Sequence, residues 1–155
     1  MDRNLVTSRK PEDLPAFCRV AATLTPTSDS DIKVEVWLPA SGWNGKFQQV
    51  GNGGWGGSIQ YAALATALRR GYAAASTDTG HVGDTARFAL GHPEKLTDFG
   101  YRAVHETAVR SKAAITAAAY YDNPLTGSGA LLACLGALRE LSGDALRGGS
   151  AEAME

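Results

Sequence analysis

The segment Lys46-Phe47-Gln48-Gln49-Val50 runs directly into Gly51-Asn52-Gly53-Gly54-Trp55-Gly56-Gly57, five glycines in seven residues. Glycine loses more conformational freedom on folding than any other residue. A cluster this dense is tolerated where the backbone needs positive φ or another group must come close. The pattern therefore predicts a strand that ends in an unusual turn with exposed backbone N–H groups. Such groups make a concavity suited to a negative charge, including one that develops on oxygen during acyl transfer. No Gly-Lys-Ser/Thr follows, so the turn is not a phosphate loop. No acidic residue follows a second strand at the distance a dinucleotide site requires.

The flanking residues supply the remaining elements. Residues 1–13 are polar and irregular and read as a flexible arm. Phe17 to Leu24 reads as a strand, Pro26 to Asp31 as turn chemistry, and Ile32 to Leu38 as an alternating strand whose buried face holds Ile32, Val34, Val36 and Leu38. Together they predict an antiparallel hairpin. After the third strand, Ser58 to Arg70 reads as a helix with Ser58 at the N-cap, Leu64 and Leu68 one turn apart and Gly71 at C′. Tyr72 to Thr77 is a short buried strand. Asp78 to Pro93 is a long loop, of the kind that is often functional.

A long helix is expected from Asp98 to Tyr121. Thr97 would cap it, Leu96 and Tyr101 would form a staple, and Val104, Ala108 and Ile115 would mark its inner stripe. Ala130 to Ala133 reads as a fifth strand and Cys134 to Arg147 as a last helix, with residues 148–155 a disordered tail. The order β-β-β-α-β-α-β-α implies an α/β fold over residues 14–147, with a mostly parallel sheet behind an antiparallel N-terminal hairpin.

At 155 residues the chain is long enough for one domain with a real core. A net charge of −1 gives no electrostatic case for nucleic acid or an anionic membrane, and no apolar run approaches the roughly 20 residues that span a bilayer. Met1 to Lys10 has no apolar h-region, so as it stands it is not a secretory signal. Cys18 and Cys134, the only cysteines, are too few for a disulfide framework or a four-ligand zinc site and read as small buried hydrophobes. His81, His92 and His105 are too dispersed for metal-ligand spacing. Neither a metal nor a cofactor is expected.

Ser76, Asp78 and His81 bring a hydroxyl, a carboxylate and an imidazole to one strand end, a candidate nucleophile–base set. The competing reading has Asp78 bonding backbone N–H groups and His81 packing or bonding a carbonyl. Trp55 is a candidate platform for an aromatic ligand.

Several segments, in order and spacing, carry a family resemblance: Leu14-Pro15-Ala16-Phe17-Cys18-Arg19-Val20, Trp43-Asn44-Gly45-Lys46-Phe47 with its glycine turn, Ser76-Thr77-Asp78-Thr79-Gly80-His81, Phe99-Gly100-Tyr101-Arg102-Ala103-Val104-His105, and Ala118-Ala119-Tyr120-Tyr121. Over roughly residues 14–121 the chain resembles the tannase and feruloyl esterase family of α/β-hydrolases. The resemblance implies a partial α/β-hydrolase fold and a parent chemistry of aromatic-acid ester hydrolysis, on feruloyl or galloyl esters, by a Ser/Asp/His triad. It also implies an oxyanion hole from Gly51, Asn52 and the residue after the nucleophile, Gly136.

In relatives the fifth strand ends in Gly-Cys-Ser-x-Gly-Gly, with the serine on a tight strand-to-helix turn. Here Ala133-Cys134-Leu135-Gly136 stands there, and Leu135 occupies the nucleophile position. Relatives carry the triad aspartate and histidine, the lid and the partners of both cysteines outside the matched segments, so two free thiols are expected. The expectation is an N-terminal portion of such a hydrolase, with weak or no activity toward an aromatic carboxylic ester. The alternative is a non-catalytic binding or assembly module that forms a homo-oligomer through the apolar sheet edge Ala130 to Ala133.

Overall fold

The computed structural model describes residues 14–121 and 150–154. The arm 1–13, the strand expected at Ala130 to Ala133, the helix expected at Cys134 to Arg147, and with them Leu135 and Gly136, lie outside the described residues.

Strands β1 (Phe17–Leu24) and β2 (Ile32–Pro39) form the expected hairpin, in a register running from Phe17 opposite Pro39 to Leu24 opposite Ile32. Next come β3 (Phe47–Val50), helix α1 (Tyr61–Arg69) and β4 (Ala73–Thr77). A 3₁₀ turn (Ala86–Ala89) leads to the short helix α2 (Pro93–Thr97), a π-helical turn (Asp98–Arg102) and the long helix α3 (Ala103–Tyr121). The last strand, β5, is Ser150–Met154.

The described sheet runs β3-β4-β2-β1-β5. Only β3 and β4 pair in parallel, while β1–β2, β2–β4 and β1–β5 are antiparallel. The sheet is therefore mixed, not mostly parallel. The hairpin sets one antiparallel pairing, and β4 enters beside β2, not beside β1. The tail adds the third antiparallel pairing. Ser150 to Met154 is strand, not disordered, because the outer edge of β1 offers it a ladder from Ala21 opposite Ser150 to Phe17 opposite Met154.

The core lies on both faces of the sheet. Val20, Ala22, Val34, Val36, Leu38 and Ala75 pack with Ala103, Ala114, Ile115 and Ala118 of α3. On the other face Phe17, Trp37, Val50 and Ala74 pack with Leu64, Ala67 and Leu68 of α1. The alternation in β2 thus marks two buried faces, not one wet and one dry.

The second face of β2 holds Glu35, only 5% exposed. Its carboxylate accepts from Arg19 Nε (3.0 Å) and Nη2 (2.7 Å), Trp37 Nε1 (2.9 Å) and the Tyr61 hydroxyl (2.9 Å). Four donors on two strands and α1 compensate the burial of the charge. The Tyr61 hydroxyl in turn has its pKa raised, first by burial and then by the neighbouring Glu35 charge.

Three helix expectations change. Helix α1 begins at Tyr61 with Gln60, not Ser58, at the cap position and no side-chain cap bond. Gly71 does terminate it, at φ 75°. The long helix does not start at Thr97: the helical run begins with Pro93 at the first position, and Thr97 has αR geometry with its hydroxyl donating to the Pro93 carbonyl (3.2 Å). Leu96 and Tyr101 are both exposed and form no staple. Finally, Val104 faces outward, while the stripe turned inward is Ala103, Thr107, Ser111, Ala114, Ile115 and Ala118. The wider π turn delays the phase of the helix, and small side chains let α3 approach the sheet closely. Cys18 is disulfide-bonded, which overturns the expectation of two free thiols. Among the described residues no helix is long and apolar enough to cross a membrane.

Candidate functional site

Strands β3 and β4 run parallel, so their C-terminal ends deliver the glycine turn and the Asp78–His81 segment to the same end of the sheet. Ligands of open α/β sheets bind beyond the carboxyl ends of such strands.

The parallel ladder ends at Val50 opposite Ser76. Beyond it, neither the Gly51 nor the Asn52 backbone N–H donates to a backbone carbonyl among the described residues. The next acceptor on β4, the Thr77 carbonyl, is taken by the Asn52 side chain (Nδ2 to O, 2.9 Å). The Asn52 Oδ1 atom is buried without a partner. Gly51 has ordinary φ, and a Cβ built on it would meet nothing within 4 Å. Neither conformation nor packing thus calls for glycine there, and its bare backbone borders open space. The rest of the turn is constrained. Gly54 sits at φ 56°, and a Cβ on Gly57 would come within 2.4 Å of the His81 carbonyl oxygen. That crowding comes from a bridge between Gly57 and Gly83, whose N–H···O bond measures 2.7 Å.

The second side of the site is aromatic. His81 stacks on Phe88 of the 3₁₀ turn, with ring centroids 3.8 Å apart and planes 17° apart. Trp55 stacks on Phe99 of the π turn (4.9 Å, 26°), and Phe88 and Phe99 meet at 5.5 Å. Trp55 therefore has one face covered by Phe99, although 44% of the residue remains exposed. The π turn belongs to this construction. It presents Phe99, its Asp98 carboxylate receives Arg102 (3.0 Å), and the Gln49 side chain of β3 donates to the Val104 carbonyl just beyond it (3.0 Å).

Ser76, Asp78 and His81 are close in sequence but are not joined into a catalytic set. Ser76 is fully buried, and its hydroxyl accepts from the Gln60 N–H (3.0 Å) at the start of α1. Asp78 is 6% exposed, and its Oδ1 accepts from the backbone N–H groups of Lys33 (2.9 Å) and Gly80 (2.8 Å). Burial raises the Asp78 pKa, with those two N–H bonds pulling the other way. His81 Nε2 lies 2.8 Å from the Trp55 carbonyl oxygen. A carbonyl only accepts, so Nε2 carries the proton and donates. No described hydrogen bond links His81 to Ser76 or Asp78.

Phe88, Phe99 and Gln49 were not foreseen as site residues. The two phenylalanines are signalled in the sequence only as aromatics inside the long loop and at the start of the following helix, and Gln49 of β3 carries no signal of its own. Among the described residues no group of three or more His, Cys, Asp or Glu side chains could hold a metal ion.

A mixed sheet with helices on both faces, and an open glycine turn at the carboxyl ends of its parallel strands, places the chain in the α/β class. The chain is similar to a solved structure of feruloyl esterase B from Aspergillus oryzae, which superposes with a TM-score of 0.58 at 41% identity, over 60% of this chain and 18% of that one. The chain belongs to the tannase and feruloyl esterase family, which it matches over residues 18–126. It is 52% identical over 107 residues to an uncharacterised esterase of Xanthomonas campestris pv. campestris, covering 67% of this chain and 18% of that protein. It is 41% identical over 96 residues to feruloyl esterase B of Aspergillus niger, covering 62% and 18% respectively. The chain thus spans less than a fifth of the length of these relatives.

Proposed function

We propose that this chain carries the oxyanion-cradling part of an aromatic-acid ester hydrolase and contributes no nucleophile of its own. The observation that supports this most strongly is the pair of consecutive N–H groups at Gly51 and Asn52, unused by backbone carbonyls among the described residues, with Gly51 exposed at the end of a parallel strand. Donors fixed in that way stabilise the oxyanion of a tetrahedral intermediate without reorganising. The Asn52–Thr77 bond holds the turn in register with β4. The stacked Trp55 and Phe99 give the adjoining wall an affinity for an aromatic acyl group.

The attacking atom is the missing component. Leu135 stands where relatives carry serine, and Ser76 is buried with its hydroxyl engaged. A serine hydrolase stripped of its triad retains about 10³–10⁴ over water from the oxyanion hole and binding. Hydrolysis of p-nitrophenyl acetate and methyl ferulate tests the reading. Turnover at or below that residual level, unchanged by Ser76→Ala and His81→Ala, supports it. Substantial turnover that falls in either variant rejects it.

A second reading, a non-catalytic assembly module, is favoured by one feature. Among the described strands β3 forms one edge of the sheet. An open edge invites pairing with a second copy or with a complementing segment. A monomer by light scattering counts against this reading.

A further inference from the structure

A cleft of about 460 Å³ lies between the start of β2 and the loop that follows β4. Small-molecule sites commonly fall between about 300 and 1,000 Å³. Its lining combines two chemistries. Val82, Phe88 and Leu90 give it apolar surface, and Lys33, Arg87 and Lys95 give it positive charge. Val82 is 90% and Leu90 75% exposed, the two most exposed large hydrophobic residues among those described. Both border the same cleft.

The other ionisable groups of the lining are already engaged. Asp31 pairs with Lys33 Nζ, and His92 Nδ1 bonds Asp29 Oδ1 at 2.9 Å. Asp78 is turned to the backbone N–H groups of Lys33 and Gly80. Arg87 and Lys95 have no ion-pair or side-chain hydrogen-bond partner among the described residues. Two unmatched cations therefore stand beside an apolar surface that water wets poorly.

We propose that this cleft binds a small organic anion with a flat apolar body, an arylcarboxylate in its simplest form. The carboxylate meets the Arg87 guanidinium, whose planar fork suits bidentate pairing. Lys95 adds a second charge, and the ring of the ligand covers Val82, Phe88 and Leu90. The cleft is lined by the face of the loop that holds His81 and Phe88, beside the glycine turn. Binding there requires no hydrolytic activity and stands independently of the proposed esterase role.

Saturation-transfer NMR and calorimetry on the full chain, with cinnamate, methyl cinnamate and acetate as probes, test the site. Cinnamate is expected to bind in the millimolar range. Methyl cinnamate, which lacks the charge, and acetate, which lacks the ring, should each bind about ten-fold more weakly, the factor set by losing one charge-assisted contact or one buried ring face. The double variant R87A/K95A should bring cinnamate down to the level of its ester, with a thermal midpoint close to the parent's because neither residue is buried and neither holds an ion pair among the described residues. Equal binding of cinnamate and its ester, retention of cinnamate affinity in the double variant, or no binding of cinnamate would each overturn the proposal.

Discussion

The His81 imidazole donates its Nε2 proton to the carbonyl oxygen of Trp55, across 2.8 Å and 26 positions of sequence. That bond leaves Nδ1 as the unprotonated nitrogen, 3.4 Å from the Thr79 hydroxyl, and the ring lies stacked against Phe88. His81 therefore acts as a clasp between the glycine turn and the loop after β4. In H81A the aromatic stack loses a member and the turn loses its tie. The expected cost is about 1–3 kcal/mol, from one buried hydrogen bond and one ring pair, read by urea unfolding followed through tryptophan fluorescence. A variant as stable as the parent would show that the clasp carries no weight.

Gly57 lies directly beneath the same residue. Its absent Cβ would sit 2.4 Å from the His81 carbonyl and 2.7 Å from the ring, and backbone cannot yield as a flexible side chain does. Gly57→Ala should destabilise the fold by about 1–3 kcal/mol through overpacking. Gly53→Ala, with nothing within 4 Å and ordinary φ, is the matched control and should change stability far less.

Glu35 gathers four donors from three elements. Replacing it with alanine leaves the Tyr61 hydroxyl and the Trp37 N–H without their acceptor and takes the Glu35 carboxylate from the Arg19 guanidinium. Breaking a buried ion pair from one side costs about 3–5 kcal/mol. Because Arg19 keeps 25% of its side chain in solvent, the lower end is expected. Denaturant midpoints of E35A and E35Q measure it, and equal midpoints for parent and E35A would refute the assignment.

Asp78 sets a pH dependence of known sign. Burial places its folded-state pKa above the ordinary carboxyl value of 3.8, so the folded chain holds this proton more tightly than the unfolded one. The stabilisation is complete below pH 3.8 and is lost as pH rises through the higher folded value. Asp78→Asn keeps an oxygen for the Lys33 and Gly80 N–H groups and removes the charge. The gap in thermal midpoint between the D78N and parent chains should favour the variant at pH 7 and narrow toward pH 4. A gap that widens on acidification contradicts this.

The β1 edge is covered by the tail ladder from Ser150 to Met154. Deleting residues 150–155 bares five residues of that edge and should promote self-association, visible by light scattering as a mass that rises with concentration. A truncated chain that stays monomeric and equally stable would show that the ladder adds nothing.

The parts of this fold legible in the sequence are those where side-chain period and backbone agree. Ile32 to Leu38 announced β2, and Gly71 announced the end of α1. The face of α3 was only partly legible: Ile115 turns inward as its type suggests, but the rest of the buried stripe is alanine, serine and threonine while the exposed face carries Val104 and Val109. Hydrophobicity pointed the wrong way, and no local signal marks a π turn. The burial of the second face of β2 at Glu35 and Trp37 was hidden by Glu35, whose partners at Arg19 and Tyr61 come from other elements. The glycine turn was legible as an unusual turn that ends a strand, yet the aromatic cluster beside it was not. Phe88 and Phe99 converge on Trp55 and His81 only after the sheet has brought their loops together.

The most direct test of the central claim is the intact mass of the full chain after exposure to an excess of a fluorophosphonate, which phosphonylates activated serines. On the proposed reading the chain offers an oxyanion turn and no activated hydroxyl, so the mass should remain that of the unlabelled chain. A stoichiometric adduct that maps to Ser76, or to any other serine of the chain, would contradict it.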